Sequence, residues 1–233
     1  YNCSALTSIQ FSDSLGTIGE YAFYNCKALS TIQIPESVQS LGERVFENCS
    51  GLTSATLPKG LKSIPAYLFL KCSALAEVVL PDSLEIIGGS AFKECASLTQ
   101  ISLPEGLSVL SDGAFDGSGL KEMVLPSTLT QIGDYAFSEC SSLANISIAP
   151  SVTEIGEMAF ALCKSLRSIT IPESVAVIGK WAFAGCESLT ELRIPKSVRD
   201  IGFSSFSACE NLTKVWIPTD CYLDRNDFEH CLH

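Results

Sequence analysis

Cysteine and histidine are the residues of this sequence whose types and spacing most directly suggest chemistry. Eleven cysteines occur in 233 residues, and the only two histidines lie within the last four positions. The C-terminal tail also contains several residues of the kinds that bind metals: Cys221, Asp224, Asp227, His230, Cys231 and His233. Their spacing matches no C-x₂-C or H-x₃-H pattern of a structural zinc site. An ordinary terminal repeat is therefore the favoured interpretation, with a metal site as the alternative.

Catalytic and cofactor-binding motifs are not found in the sequence. It contains neither a phosphate-binding loop nor a dinucleotide-binding fingerprint. A histidine-based catalytic set would have to assemble from His230 and His233 at the end of the chain. Residues 224–229 do not fit a calcium loop, because Phe228 takes the place of its third acidic ligand. We therefore predict that the protein is not an enzyme and binds no metal or cofactor.

An internal repeat accounts for most of the remaining residues. Phenylalanine recurs every 22 or 23 residues, at Phe23, Phe46, Phe69, Phe92, Phe115, Phe137, Phe160, Phe183, Phe206 and Phe228. Cysteine follows three residues later, at Cys26, Cys49, Cys72, Cys95, Cys140, Cys163, Cys186, Cys209 and Cys231, and Cys3 belongs one step earlier. Such a period is typical of solenoids, in which each unit buries its apolar face only against its neighbours.

Each repeat has two halves. The pattern L-x-x-I-x-I alternates apolar and polar residues, which predicts a half-buried strand, and a proline that usually follows ends that strand. The pattern I-G-x-x-A-F-x-x-C is too short for an α-helix. We predict an α/β-type repeat solenoid, a right-handed arc of about ten repeats of 22–23 residues. Its parallel β-sheet would line the concave face, and irregular or 3₁₀-like arms the convex face.

The full unit, P-x-S-V-x-x-I-G-x-x-A-F-x-x-C-x-x-L-x-x-I-x-I, resembles the BspA-like class of leucine-rich repeats. The resemblance extends over essentially the whole chain. It implies a leucine-rich-repeat solenoid and a secreted or cell-surface protein used in adhesion and host contact. Because the chain starts and ends within a repeat, we treat 1–233 as one solenoid domain and expect it to be a fragment of a longer protein.

The cysteines are interpreted as a structural ladder of buried thiols. Side chains in register on parallel strands are about 4.8 Å apart, beyond the ~3.8 Å Cβ separation that a disulfide prefers. Ser118 interrupts the ladder and leaves five cysteines on each side, so neither run can pair completely. Cys221–Cys231 is the one bridge that we consider. The recurring phenylalanines, Phe23 to Phe206, predict a structural spine of packed rings.

A ligand would bind the outward-facing residues of the strands, which form two columns. The first column contains Ser8, Thr31, Ser54, Glu77, Gln100, Glu122, Asn145, Ser168, Glu191 and Lys214, and the second Gln10, Gln33, Thr56, Val79, Ser102, Val124, Ser147, Thr170, Arg193 and Trp216. Most are small and polar.

The last rungs differ, because Glu191, Arg193, Lys214 and Trp216 are predicted to form one patch with Arg167 beside it. Arg and Trp dominate binding hot spots, although Trp216 could instead pack under residues 221–233.

Two further features depart from the regular pattern. A row two positions before the repeat phenylalanine contains Tyr21, Tyr67, Tyr135, Met158 and Trp181, which would either contact a partner or cover neighbouring rungs. The rung at residues 111–120 is one residue short and contains Gly113, Gly117 and Gly119. Because glycine lowers local stability, we expect a bend or a weak point there.

Composition limits the classes of partner that the protein is expected to bind. Twenty-six acidic residues against fifteen basic ones give a net charge of −11, which argues against nucleic acid and anionic membranes, and no apolar run is long enough for membrane insertion. The favoured function is recognition of a protein or glycan ligand at the cell surface or outside the cell. The alternatives are a spacer without its own ligand and an intracellular interaction scaffold.

Overall fold

The computed structural model describes residues 1–219, 221, 223 and 226–231. These residues form a solenoid of short parallel strands and include no helix. Each turn of the solenoid consists of a strand of a first row, a strand of a second row and a turn arm that leads to the next rung. The predicted solenoid of leucine-rich-repeat type is confirmed.

The first strand row comes from the L-x-x-I-x-I segments. Its seven strands are β2 (Thr31–Gln33), β4 (Ser54–Thr56), β6 (Glu77–Val79), β9 (Glu122–Val124), β11 (Asn145–Ser147), β14 (Glu191–Arg193) and β16 (Lys214–Trp216). They pair in parallel and in register as β2–β4–β6, β9–β11 and β14–β16.

The sequence predicts ten such segments in one continuous sheet, and this prediction is wrong in extent. Among the described residues, the segments around Ile9, Ile101 and Ile169 form no strand, and one isolated bridge joins Ser147 to Thr170. The next rung lacks one residue between Ser118 and Leu120, yet it enters the row in step with its neighbour, because the N–H of Lys121 donates to the carbonyl oxygen of Thr99 at 3.1 Å.

The second strand row, which the sequence did not predict, follows the proline turn. Its nine strands are β1 (Thr17–Ile18), β3 (Ser40–Leu41), β5 (Ser63–Ile64), β7 (Ile86–Ile87), β8 (Val109–Leu110), β10 (Gln131–Ile132), β12 (Glu154–Ile155), β13 (Val177–Ile178) and β15 (Asp200–Ile201). Seven of them, β5 to β15, form the longest sheet, and β1 pairs with β3. Strands of two residues are too short for an apolar periodicity to reveal them.

The turn arm is a chain of separate turns rather than a 3₁₀-helix. In most rungs the residues two before and two after the repeat phenylalanine have positive φ, as Tyr21 and Asn25 do around Phe23. These left-handed residues prevent a continuous right-handed helix. Their N–H groups, with that of Phe23, donate to carbonyl groups of the next rung at 2.8–3.1 Å. The arms therefore add a further ladder of backbone hydrogen bonds between rungs.

The rung at residues 111–120 retains this ladder. The N–H groups of Gly113, Phe115 and Gly117 donate to the next rung at 2.7–2.9 Å. Gly113 and Gly117 occupy the two left-handed positions, at φ of 63° and 66°, where glycine is the least strained residue. Gly113 and Gly117 therefore suit the conformation that this arm requires and give no reason to expect a weak rung.

The core is continuous along the solenoid and is centred on the phenylalanine rings. Phe23, Phe46, Phe69, Phe92, Phe115, Phe137, Phe160, Phe183, Phe206 and Phe228 stack with neighbouring centroids 5.2–5.7 Å apart and planes within 20° of parallel. The rings from Phe46 to Phe206 are fully buried. Leucine, isoleucine, valine and cysteine slots surround the stack.

Candidate functional site

The ladder cysteines from Cys26 onward are buried free thiols, and most have a defined partner, whereas Cys3 at the start of the ladder is exposed. The thiol of Cys49 donates to the carbonyl oxygen of Phe23 in the preceding rung at 3.1 Å, and that of Cys163 to Phe137 at 3.1 Å. The same bond recurs for Cys72, Cys95, Cys140, Cys186, Cys209 and Cys231 at 2.8–3.3 Å. Cys26 lies in the same slot, with its sulfur 4.0 Å from the carbonyl oxygen of Tyr24.

Burial also makes the ladder thiols from Cys49 to Cys186 chemically inert. It raises the pKa of Cys49, Cys140 and Cys186 from the ordinary 9.0 to about 12, and that of Cys72 and Cys163 well above 9.0. The thiolate is the nucleophile and the metal ligand, so this part of the ladder serves packing and hydrogen bonding. Cys231 at the end of the ladder differs, because a hydrogen bond with Cys209 lowers its pKa.

The candidate bridge and the candidate metal residues lie in the last rung. No disulfide joins Cys221 to Cys231. Asp224 and His233 lie outside the described residues. Within the part of the chain that the structure describes, no three His, Cys, Asp or Glu side chains are arranged to hold a metal ion.

The two outward columns of the first row face solvent along the solenoid. All of their members are exposed except Ser54, which is half-buried. Val79 and Val124 are 50% and 73% exposed, and they are the apolar exceptions in the otherwise polar second column before Trp216. Most of this surface offers small hydroxyl and amide groups and no concentration of charge.

Strands β14 and β16 bring together four of the five predicted ligand-binding residues. Their register places Glu191 opposite Lys214 and Arg193 opposite Trp216. The ammonium of Lys214 lies 3.3 Å from the carboxylate of Glu191. Trp216 is 50% exposed, so it is not packed under the terminal segment as a buried side chain. We name Glu191, Arg193, Lys214 and Trp216 the C-terminal patch.

Arg167 belongs to the preceding rung and is set apart from the patch. It stands at the position equivalent to Thr190, one residue before the first column. Rung spacing and strand rise place it about 11 Å from Arg193 along the surface. Among the described residues, neither arginine forms an ion pair. Both guanidinium groups are thus exposed and available to a ligand.

The aromatic row covers neighbouring rungs on the arm side. Arg44, which occupies this row but was not singled out from the sequence, lies between Tyr21 and Tyr67, with its guanidinium 3.9 Å from the Tyr67 ring centroid. It also forms an ion pair with Glu47 at 2.8 Å. Its position two residues before Phe46 is the signal that could have identified it.

The other members of this row also have partners on the next rung. Trp181 packs edge-on against Phe203 at 5.8 Å, and the Tyr135 hydroxyl lies 3.3 Å from the Glu157 carboxylate. Met158 is half-buried. These contacts favour a covering role over a docking role.

The fold and the exposed strand face define a leucine-rich-repeat solenoid, a class in which ligands are bound on the surface of stacked rungs. The family of the BspA type leucine rich repeat region matches residues 1–121 and 108–233. The chain belongs to this family.

Solved structures agree with this assignment. A leucine-rich repeat protein from Bacteroides ovatus is 28% identical, with a TM-score of 0.65, over 100% of this chain and 78% of that one. A leucine rich repeat protein from T. pallidum is 27% identical, with a TM-score of 0.51, over 85% and 72%. The pneumococcal vaccine antigen PcpA, at 23% identity and a TM-score of 0.59 over 86% and 53%, shares the fold. Comparison with curated proteins finds no match in sequence.

None of the residues that the structure describes belongs to a helix long and apolar enough to cross a bilayer.

Proposed function

We propose that the protein is a non-enzymatic recognition module that binds a protein or glycan at the cell surface or outside the cell. Membership of the BspA-type family supports this location. The observation that carries the proposal is the pairing of the half-exposed Trp216 with Arg193 on adjacent strands.

The C-terminal patch has the physical character of a binding hot spot. Trp and Arg contribute most when a partner removes them from water. An exposed indole in a strand row leaves apolar area in contact with solvent, and covering it is favourable by about 25 cal/mol per Å². The remaining column positions carry no aromatic side chain.

The test is a binding screen against arrayed extracellular-matrix proteins and glycans with a Trp216→Ala, Arg193→Glu double variant. Truncating a hot-spot residue costs about 2 kcal/mol or more, so we expect binding to weaken at least about 30-fold. A Val124→Ala, Lys121→Gln double variant is the matched control, because it changes an exposed apolar residue and a cation on the same face. Circular dichroism would verify that both variants fold.

A second candidate function is a structural spacer without its own ligand. The chemically quiet columns favour it, since a surface of small Ser, Thr and Asn side chains offers few anchors. An array on which neither the wild-type protein nor the double variant captures anything would favour the spacer function. Ligands that the double variant retains would instead move recognition to another surface of the solenoid.

A further inference from the structure

Charge is distributed unevenly along the solenoid. Residues 1–163 carry seven Lys and Arg against seventeen Asp and Glu, whereas residues 164–233 carry eight against nine. The acidic excess therefore falls from ten charges in the first part of the chain to one in the last part. The change falls at the rungs that carry Arg167 and the C-terminal patch.

The outward face of the first strand row shows the same change at the residue level. Its cations are Lys121, Arg167, Arg193 and Lys214, and three of these four belong to the last three rungs. Glu191 compensates Lys214 at 3.3 Å, so the charges of Arg167 and Arg193 are not offset by an ion pair among the described residues. An anion approaching the molecule is repelled by the acidic rungs and far less at this end, where these cations are concentrated on the first-row face.

The groups around the two arginines are suited to a polyhydroxyl chain. Arginine binds carboxylate and sulfate-like oxyanions through paired N–H groups. Trp216 presents a flat apolar face on which the C–H face of a sugar ring can pack. Ser168, Thr170 and Ser147 are exposed on the neighbouring rungs and can exchange hydrogen bonds with sugar hydroxyls.

We infer that the ligand is an anionic polysaccharide that lies across the last three first-row rungs. Its carboxylate or sulfate groups pair with Arg167 and Arg193, and a sugar ring stacks on Trp216. The backbone positions of the two arginines are about 11 Å apart, a spacing that a polymer with repeated charges can match at both sites at once. An acidic peptide would satisfy the arginines but would present no sugar ring to Trp216. This inference rests on the proposed recognition function and names the chemical class of its ligand.

The experiment measures the affinity of the whole chain by calorimetry for a hyaluronan oligosaccharide, which carries carboxylates, and a heparin oligosaccharide, which also carries sulfates. Dextran serves as the uncharged polysaccharide and polyglutamate as the acidic peptide. The variants are Arg167→Gln, Arg193→Gln and Trp216→Ala. Lys121→Gln is the control, since Lys121 stands at the position equivalent to Arg167 two rungs earlier.

We expect at least one charged oligosaccharide to bind, and dextran and polyglutamate to bind at least about tenfold more weakly. Each arginine variant should weaken binding at least about tenfold and Trp216→Ala about 30-fold, whereas Lys121→Gln leaves it unchanged. Affinity should fall as salt rises from about 0.01 to 0.15 M, because the Debye length falls from about 30 to 8 Å. The oligosaccharide that binds more tightly distinguishes carboxylate from sulfate recognition.

Three results would overturn the inference. The first is a folded wild-type protein that binds neither charged oligosaccharide at low salt. The second is binding that the arginine and tryptophan variants leave intact. The third is equal binding of polyglutamate, which would reduce the site to charge alone. If the patch captures a matrix protein but neither oligosaccharide, recognition stands and the ligand class is wrong; if the patch captures nothing, both proposals fail.

Discussion

At the scale of single residues, the cysteine slot is explained by a hydrogen bond between rungs. The thiol of Cys186 donates to the carbonyl oxygen of Phe160 at 3.3 Å, 26 positions earlier in the chain. The same geometry ties most of the ladder cysteines to the phenylalanine of the preceding rung. Ser118 shows that a hydroxyl is tolerated in the slot, where its oxygen lies 3.3 Å from the sulfur of Cys140.

Burial of the thiols predicts a loss of stability at alkaline pH. The pKa of Cys186 is raised from 9.0 to about 12, so above pH 9 the unfolded chain releases this proton while the folded protein keeps it. The stabilisation from the buried neutral thiol is complete below pH 9 and is lost as pH rises from 9 to about 12. One group changes the free energy of unfolding by up to about 1.4 kcal/mol per pH unit over this window.

The variant Cys186→Ser isolates that contribution, because serine does not titrate in this range. We expect the free energy of unfolding, measured by urea denaturation between pH 7 and 11, to fall less steeply above pH 9 in the variant. Comparing slopes rather than absolute stabilities removes any offset from the substitution itself. Equal slopes in the two proteins would show that Cys186 is not protected by burial as the structure indicates.

At the scale of elements, the turn arm depends on residues in the left-handed region. Most of these positions are not glycine, and Ala208 has a φ of 54°. A left-handed conformation costs an L-residue about 1–2 kcal/mol, which glycine avoids. The arm therefore contains strain that substitution can relieve.

The substitution Ala208→Gly should stabilise the protein by about 1 kcal/mol, because relief of the left-handed conformation exceeds the entropic cost of glycine. Ala184→Gly is the matched control, since Ala184 is half-buried in an equivalent arm but is not left-handed. There we expect a loss of about 0.5–1 kcal/mol. Thermal denaturation of both variants measures the difference, and a loss of similar size at both sites would contradict the assignment of strain.

At the scale of the whole molecule, the rungs are joined by ladders that are not equally complete. The second strand row runs without a break from β5 to β15, and the arm ladder passes through residues 111–120. The first strand row is interrupted around Ile101 and is joined by only one bridge around Ile169. The least protected backbone should therefore lie in the first row.

Native-state hydrogen exchange tests this distribution. We expect the amides of Gln100, Ile101 and Ser102 to exchange faster than those of Glu122–Val124, which pair with β11. The arm from Gly113 to Gly117 should exchange as slowly as the arms on either side. Faster exchange in that arm would show that the rung at residues 111–120 is less stable than its neighbours, as its glycine content suggests.

The sequence by itself determined the solenoid, its period and its core slots. Apolar residues at fixed positions in every repeat can be buried only by stacking, and this conclusion requires no coordinates. The pattern L-x-x-I-x-I predicted seven of the strands, and the alternation within it predicted which side chains face solvent. The family followed from the same repeated residues.

Only the tertiary structure decided how the rungs are joined. The second strand row, the left-handed arm residues and the thiol–carbonyl bonds all connect positions more than twenty residues apart or depend on backbone dihedral angles. Their register is set by the packing of whole rungs. Periodicity records which residues are buried, whereas hydrogen bonds between rungs depend on where each buried residue places its backbone.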